Sequence, residues 1–227
     1  MIRPKRAILT VLLTLLCVGE AASEGAPILE ISGPAVVTDG DTIRIGNQII
    51  RIYGIDAFEN AQNCERHGRR YNCGAESENA LRGMLNNGAS CAGSEFDSYN
   101  RLIARCLADS TDVGAKMVRS GNALAYRKYA SDYIDDEDDA RLAKRGVWQG
   151  SFEAPWTFRA ARWNAAATDT PNEGCPIKGN INRKGERIYH APWSRSYART
   201  RINVGKGERW FCSEAEALAA GWRAPFR

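Results

Sequence analysis

Residues 35–56 have the sequence AVVTDGDTIRIGNQIIRIYGID, in which short β-branched runs alternate with turn-forming residues. The runs at 35–37, 42–45 and 49–55 are rich in Val, Ile and Thr, a composition that favours β-strands. Asp39-Gly40 and Gly46-Asn47 supply turn residues between the runs. The stretch therefore predicts three short strands that follow one another closely along the chain.

Further strands and helices are predicted on the C-terminal side of this stretch. A helix-spaced apolar pattern predicts a helix over 75–87, and two more strands are predicted over 89–95 and 102–108. Two further helices are predicted, one from the capping residue Asp112 to about residue 120 and one over 134–145. The order indicates an α+β fold, and five short strands with Gly turns favour a five-stranded β-barrel of the OB type with three helices.

The two ends of the chain differ from this central region. Three basic residues precede an apolar run over 7–18 and small residues up to 23, which predicts a signal peptide over 1–23. The run is short for a membrane anchor, so no membrane span is expected after cleavage. The mature chain is predicted to comprise a main domain over 30–150, a Pro-containing linker over 151–174 and a small module over 175–227.

Charge is distributed unevenly between these parts, although the formal net charge of the whole chain is only +4. Residues 175–227 contain 11 basic and 4 acidic residues, whereas residues 24–174 contain 17 basic and 22 acidic residues. A basic module on an acidic domain indicates an anionic partner or simply a solvated surface.

Six cysteines follow the predicted signal peptide, an even number that is typical of disulfides in an exported protein. Counting leaves their pairing open, but local spacing favours Cys64–Cys73, Cys91–Cys106 and Cys175–Cys212. His190 with the last pair could instead form part of a zinc site, and export favours the disulfide. The predicted location is secreted or periplasmic.

Carboxylates recur at the predicted strand boundaries. Asp41 precedes the second strand, Asp56 and Glu59 follow the third, and Arg51 lies between them in sequence. Carboxylate and carbonyl oxygens bind hard cations, and a cation beside arginines suits a phosphoryl transition state. Any one of these residues could be an ordinary turn or surface residue. Together they predict a metal-dependent phosphodiesterase site.

Histidine content narrows the possible hydrolytic mechanisms. The chain contains two histidines, His67 and His190, and no Gly-x-Ser-x-Gly sequence. Nucleases that use clustered histidines as base and metal ligands are therefore excluded. A carboxylate base with a carboxylate-bound metal remains.

Six short motifs carry a family resemblance. They are Asp39-Gly40-Asp41-Thr42, Arg51, Asp56-Ala57-Phe58-Glu59, Asp97-Ser98-Tyr99-Asn100-Arg101, Val118-Arg119-Ser120-Gly121 with Ala125-Tyr126, and Gly146-Val147-Trp148. In order and spacing they resemble the staphylococcal nuclease (thermonuclease) family, over roughly residues 34–149. The resemblance implies calcium-dependent hydrolysis of DNA or RNA at the 5′-oxygen, which leaves 3′-phosphate ends.

The resemblance also implies a role for individual residues. The implied calcium ligands are the Asp41 and Asp56 carboxylates and the Ala57 carbonyl; the implied base is Glu59; the implied phosphate-binding groups are Arg51 and Arg101; and the implied nucleotide contacts are Tyr99 and Tyr126. The chain departs from the family pattern at Ala57, Phe58 and Asn100, where threonine, proline and glycine are usual. Asn tolerates a left-handed backbone, so the turn at Asn100 is expected to survive.

The C-terminal residues resemble the small "sunset" module that follows such nuclease domains, and no obligate protein partner is evident. The alternative to a working nuclease is a non-catalytic module that binds nucleic acid or an anionic envelope polymer such as an exopolysaccharide. A role in envelope assembly with incidental nuclease activity also remains open. Retention of all five charged site residues favours the enzyme.

Overall fold

The computed structural model describes residues 26–168, 170–171 and 174–225. The predicted signal peptide lies outside these residues. Within them, the strands are β1 (Leu29–Gly33), β2 (Ala35–Val37), β3 (Thr42–Ile45), β4 (Gln48–Ile52), β5 (Ile55–Ala57), β6 (Cys64–Arg66), β7 (Arg69–Tyr71), β8 (Ala89–Phe96), β9 (Leu102–Ala108), β10 (Thr111–Asp112), β11 (Ala123–Ala125), β12 (Gly150–Ser151), β13 (Ile177–Ile181), β14 (Arg187–His190) and β15 (Arg209–Phe211). The α-helices are α1 (Cys73–Met84), α2 (Val113–Arg119), α3 (Ile134–Leu142), α4 (Pro155–Ala167) and α5 (Glu214–Ala219). None of the helices in the described ranges is long and apolar enough to cross a membrane.

The main sheet of the described residues has seven strands in the order β1-β8-β9-β4-β3-β2, with β10 paired to β9. Its neighbours are antiparallel except β4 and β9, which run parallel. The α+β class is confirmed. The predicted number of five strands was too low, because β1 and the two-residue β10 join the sheet. Of the five α-helices in the described ranges, α1, α2 and α3 correspond to the three predicted helices, and α4 and α5 follow residue 150.

The third predicted strand, over 49–55, is divided in two. Gly54 has a φ of +74°, and the chain turns there before β5 pairs with β11. A Cβ on Gly54 would lie 2.8 Å from the Tyr133 ring, so the turn needs glycine for both backbone conformation and space. This break turns Asp56 and the residues after it away from the main sheet.

The core of the main domain lies between the sheet and helices α1 and α2. Ile43, Ile50, Leu81, Leu102 and Met117 are completely buried there. Each such side chain contributes about 1.5–3 kcal/mol through burial. The loops at the edge of the sheet are thus held on a rigid base.

All three predicted disulfides are present: Cys64–Cys73, Cys91–Cys106 and Cys175–Cys212. The second joins directly opposed residues of β8 and β9. The Cys175–Cys212 disulfide uses the two cysteines of the alternative zinc site, so their thiols cannot bind zinc. His190 Nε2 lies 2.9 Å from Asn180 Oδ1 instead. Disulfides at all three predicted positions are typical of an oxidising compartment.

The segment predicted as a linker, 151–174, contains the helix α4. Pro155 was interpreted as a breaker, but it occupies the start of the helix, where its fixed φ and missing N–H are well tolerated. Behind it, 12 residues without Gly or Pro complete the helix. Phe158 is buried, and α4 packs against β5.

The C-terminal module contains a three-stranded sheet, β14-β13-β15, and α5. β13 and β14 pair as an antiparallel hairpin, and Ser213 caps α5, because its Oγ accepts a hydrogen bond from the Glu216 N–H at 3.0 Å. Phe211 and Trp222 meet edge to face at 5.4 Å in its core. The three strands, the helix and the disulfide of the module thus enclose a small hydrophobic core that is separate from the core of the main domain.

Candidate active site

Arg51 links the two strand ends that carry the predicted metal ligands. It lies opposite Thr42 in the β3–β4 ladder, one residue from Asp41. Its Nη1 forms an ion pair with Asp41 Oδ1, and its Nη2 lies 3.1 Å from Asp56 Oδ1. Hairpin register therefore places Arg51 beside Asp41, and the turn at Gly54 brings Asp56, 15 positions from Asp41 in sequence, to the same guanidinium.

Asp41 is held from several sides. Its Oδ2 accepts the Ala57 N–H at 2.9 Å, and its Oδ1 accepts the Thr42 hydroxyl at 3.0 Å. A Cβ on Gly40 would lie 2.7 Å from the Ala57 Cβ, so glycine lets this turn approach β5 closely. The Asp41 carboxylate is consequently fixed within the cluster.

Burial and charge shift the pKa of these carboxyl groups in opposite directions. Burial alone would raise the pKa of Asp41, but the Arg51 guanidinium and the Ala57 N–H outweigh it and hold the pKa at about 2. Burial, reinforced by Asp41, raises the pKa of Asp39 to about 7. Burial also raises the pKa of Glu59 to about 8, against the opposing effect of Arg159. Asp39 and Glu59 therefore bind a proton more readily than Asp41 does.

Arg159 of α4 reaches into the same cluster. Its Nη1 donates to Asp56 Oδ1 at 3.0 Å and to Glu59 Oε1 at 2.9 Å, and its Nη2 donates to Asp56 Oδ2 at 2.7 Å. Asp56 is completely buried, so Arg159 and Arg51 together neutralise it. The guanidinium of Arg159 thus lies between the predicted metal ligand and the predicted base.

Arg101 lies at the edge of the cluster and contacts it through the Thr42 hydroxyl. Its Nη1 donates to Thr42 Oγ1 at 3.2 Å, and its Nε donates to Asp97 Oδ2 at 2.8 Å. Asn100 has a φ of +57°, so the turn adopts the left-handed backbone that was expected of it. Tyr99 lies beneath the Arg101 guanidinium, with the ring centre 5.0 Å from Cζ.

Tyr126 directly follows β11, the strand that pairs with the Asp56 strand β5, and it lies beside α4. Its ring is nearly parallel to that of Trp156, with centres 6.1 Å apart. Trp156 remains 41% exposed, so one indole face is accessible beside the predicted nucleotide contact. Together, the two rings form an aromatic surface next to the carboxylates.

The loop that carries Glu59 is tied to the chain in front of α4. The Glu59 N–H donates to Gln62 Oε1 at 3.1 Å, and Gln62 Nε2 donates to the Glu153 carbonyl at 2.6 Å. Gln62 is completely buried. The Gln62 side chain therefore links the backbone of the Glu59 loop to the backbone just before α4. The positions of Glu59 and Arg159 depend on each other through this link as well as through their ion pair.

A family model described as staphylococcal nuclease homologue matches residues 49–150, which include Arg51, Asp56, Glu59 and Arg101. This chain belongs to the staphylococcal nuclease family. A second family model, named ArfC, matches residues 154–224 and so covers α4 and the C-terminal module. Membership of the nuclease family indicates a nuclease or nucleic-acid-binding function.

One relative of this chain is named for polysaccharide biosynthesis and not for nuclease activity. The succinoglycan biosynthesis protein ExoI of Rhizobium meliloti (strain 1021) is 31% identical over 184 residues. The similarity covers 79% of this chain and 85% of that protein. The nuclease-family fold is therefore shared with a protein named for polysaccharide biosynthesis.

The structure brings most of the predicted site residues of this nuclease-family domain together. Asp41, Arg51, Asp56, Ala57 and Glu59 are joined by the contacts above, and Arg101, Tyr99 and Tyr126 lie around them. Their roles remain predictions. Within the described ranges, no group of three His, Cys, Asp or Glu side chains is arranged as a ready-made metal site.

Sequence reasoning missed Asp39, Trp156 and Arg159 as site residues. Asp39 was assigned only to a turn and a motif, although its half-buried carboxyl interacts with Asp41. The other two lie on α4, and the signal that could have revealed that helix was Pro155 at a helix start. Nothing local in the sequence indicates that Arg159 contacts a residue 103 positions earlier.

Gly74, in the first turn of α1, is predicted to set the position of Glu59. A Cβ there would overlap the Glu59 carbonyl oxygen and lie 2.9 Å from the Asn60 Cα. We expect Gly74→Ala to lower the free energy of unfolding by about 1–3 kcal/mol and to reduce cleavage, because the loop must move. Thermal unfolding and a nuclease assay measure the two effects.

Gly83 of the same helix is the matched control, since a Cβ there meets nothing within 4 Å. Gly83→Ala is expected to stabilise the protein by about 0.5–1 kcal/mol through helix propensity. Equal stability and activity of the two variants would show that the contact between α1 and the Glu59 loop is unimportant.

Proposed function

We propose that this protein is an exported, calcium-dependent phosphodiesterase that hydrolyses DNA or RNA and leaves 3′-phosphate ends. The observation that carries the proposal is the buried cluster of Asp41, Arg51, Asp56 and Glu59 on a domain of the staphylococcal nuclease family. A binding protein that does not cut has no chemical need for two metal-binding carboxylates, a base and an arginine in one place.

The charge balance of the cluster supports a divalent cation. Four carboxyl groups, those of Asp39, Asp41, Asp56 and Glu59, lie around the two guanidinium groups of Arg51 and Arg159, so the fully ionised cluster has a surplus of negative charge. Buried oxygen ligands with surplus negative charge suit calcium. Asp41 and Asp56 would hold it, with the Ala57 carbonyl as the predicted third ligand.

The side chains of the site would have the following roles in hydrolysis. Glu59 accepts a proton from the water that attacks phosphorus, while Arg51 and Arg101 bind the phosphate oxygens and orient the bond to the leaving 5′-oxygen. A bound calcium ion would supply additional charge stabilisation for the phosphoryl group. In this arrangement Arg159 holds Asp56 and Glu59, and it must give up part of these contacts when a cation binds.

A second candidate function follows from the relative and from Arg159. ExoI is named for succinoglycan biosynthesis, and Arg159 satisfies two of the carboxylates that catalysis would use. Both observations favour a domain that binds an anionic polymer without cutting it. The three disulfides suit the same extracytoplasmic setting in either case.

Cleavage of single-stranded DNA by the oxidised protein lacking residues 1–23 tests the proposal. We expect cleavage with calcium, none with a chelator, and products that carry 3′-phosphate and 5′-hydroxyl ends. Circular dichroism confirms that the protein is folded in both buffers. A folded protein that cuts neither DNA nor RNA at saturating calcium would support the binding function instead.

A further inference from the structure

A cleft separates the carboxylate cluster from the C-terminal module. Its volume is about 470 Å³. Thr38, Asp39, Glu59 and Asn60 line one wall, and Tyr189, Glu214 and much of the stretch 191–199 line the other. We refer to residues 191–199 as the module loop. The predicted base therefore faces a wall that lies outside the family-matched nuclease domain.

The module loop presents positive charge to this cleft. Arg195 and Arg199 are both exposed, and neither forms an ion pair with any carboxylate of the described residues. The Arg199 Nη2 donates only a neutral hydrogen bond, to Ser196 Oγ at 2.9 Å. Two guanidinium groups beside an open cleft attract an anionic chain, and guanidinium forks match phosphate oxygens.

An aromatic ring lies on the same loop. Trp193 lines the cleft, and behind it the Trp163 ring of α4 lies 6.3 Å away at 34°. Trp193 is half-buried, so it is supported from one side and accessible from the other. Aromatic faces next to basic side chains are the usual platform for single-stranded nucleic acids.

Two polar atoms of the cleft lining still lack partners. Asn60 Oδ1 and Ser194 Oγ are shielded from solvent and have no hydrogen-bond partner among the described residues. Shielded polar atoms are ordinarily satisfied, so a ligand group or an ordered water seated in the cleft would complete them. Asn60 belongs to the wall formed by the nuclease domain, and Ser194 belongs to the wall formed by the C-terminal module.

The module loop is held in place by its own sheet. Lys178 of β13 donates through Nζ to the carbonyls of Tyr197 and Thr200, each at 3.1 Å. The Tyr197 hydroxyl donates to the Pro176 carbonyl at 2.6 Å. A loop that is already ordered loses little entropy when it binds a ligand.

We propose that the module loop forms a substrate subsite for single-stranded nucleic acid, in which Arg195 and Arg199 bind backbone phosphates and Trp193 stacks on a base adjacent to the scissile phosphate. The cleft volume falls in the range of small-ligand sites, about 300–1,000 Å³. This inference rests on the proposed function, because it places the chain that Glu59 would cut.

Binding of a fluorescent oligothymidylate, measured by anisotropy in chelator so that no strand is cut, tests the subsite. We expect the double variant Arg195→Ala/Arg199→Ala to bind at least about tenfold more weakly, with a salt slope lower by about 1.4. Trp193→Ala is expected to weaken binding by about 5- to 150-fold. Arg183→Ala, an exposed arginine of the same module away from the cleft, should bind within twofold of wild type.

Hydrolysis of the small diester bis(p-nitrophenyl) phosphate separates this proposal from the proposed function. The loop variants are expected to keep wild-type kcat on this substrate and to show a raised KM on DNA. Loss of DNA binding in the loop variants, in a protein that cuts neither substrate, would support the subsite and reject the nuclease. Wild-type DNA affinity in all loop variants of an active nuclease would overturn the subsite. Weakened binding of alginate but not of DNA would also overturn it, in favour of a polysaccharide site.

Discussion

Replacing Glu59 with glutamine is expected to lower kcat for cleavage of single-stranded DNA by about 10²- to 10⁴-fold, the usual contribution of a general base. Glutamine keeps the size of the side chain and can still accept a hydrogen bond from Arg159, but it cannot take a proton from water. Because the change leaves Arg51 and Arg101 in place, DNA affinity in chelator should stay close to that of the wild type. Single-turnover kinetics and anisotropy measure the two quantities.

Glu65→Gln provides the matched control for this variant. Glu65 is an exposed carboxylate on β6, six residues beyond Glu59. It should leave both kcat and affinity unchanged. If Glu59→Gln retained more than about a tenth of wild-type kcat, Glu59 would not be the base, and the assignment of the reaction to this cluster would fail.

Replacing Arg159 with alanine is expected to tighten calcium binding at least about tenfold. Arg159 makes three hydrogen bonds to Asp56 and Glu59, so a cation bound at Asp56 must displace or repel a guanidinium. A unit charge about 4 Å away is worth about 4 kcal/mol at an effective dielectric constant of 20. A tenfold gain corresponds to about 1.4 kcal/mol, so it is a conservative expectation. Isothermal titration of the metal-free protein with calcium measures it directly.

The stability of the same variant should depend on calcium. Without calcium, Arg159→Ala leaves the buried Asp56 with Arg51 alone, and we expect a loss of about 1–3 kcal/mol. With saturating calcium the difference should shrink, since the ion stabilises only the folded state. Arg162→Ala, on the same helix but packed over the Phe158 ring, should change neither property. Unchanged calcium affinity in Arg159→Ala would contradict the competition between the arginine and the cation.

Arg159 also distinguishes the two candidate functions. In a working nuclease, its removal should raise activity at limiting calcium, because more of the protein carries the ion. In a binding protein that never takes calcium, the guanidinium is a permanent partner of Asp56, and its removal should only destabilise the fold. Activity at limiting calcium and the stability of the fold therefore distinguish an ion pair that opens when calcium binds from one that is permanent.

The strands around the cluster were predictable because they are encoded locally. β2, β3 and β4 follow from β-branched runs with turn residues between them, and hairpin register then places Arg51 next to Asp41. The disulfides were predictable for a similar reason, since Cys91 and Cys106 fall on two strands joined by a short turn. The predictions failed where a signal was weak, as for the two-residue β10, or ambiguous, as for Pro155.

By itself, the sequence indicated the charged residues of the candidate site apart from Asp39 and Arg159, most of the strands that carry them and a favoured pairing of the cysteines. These features depend on residues that are close along the chain, where turn geometry and side-chain alternation limit the choices. Only the tertiary structure decided that α4 delivers Arg159 to Asp56, and that the module loop faces Glu59 across a cleft. Those contacts join residues more than 100 positions apart, and they arise from burial of apolar surface such as Phe158, which drives packing without a directional signal in the local sequence.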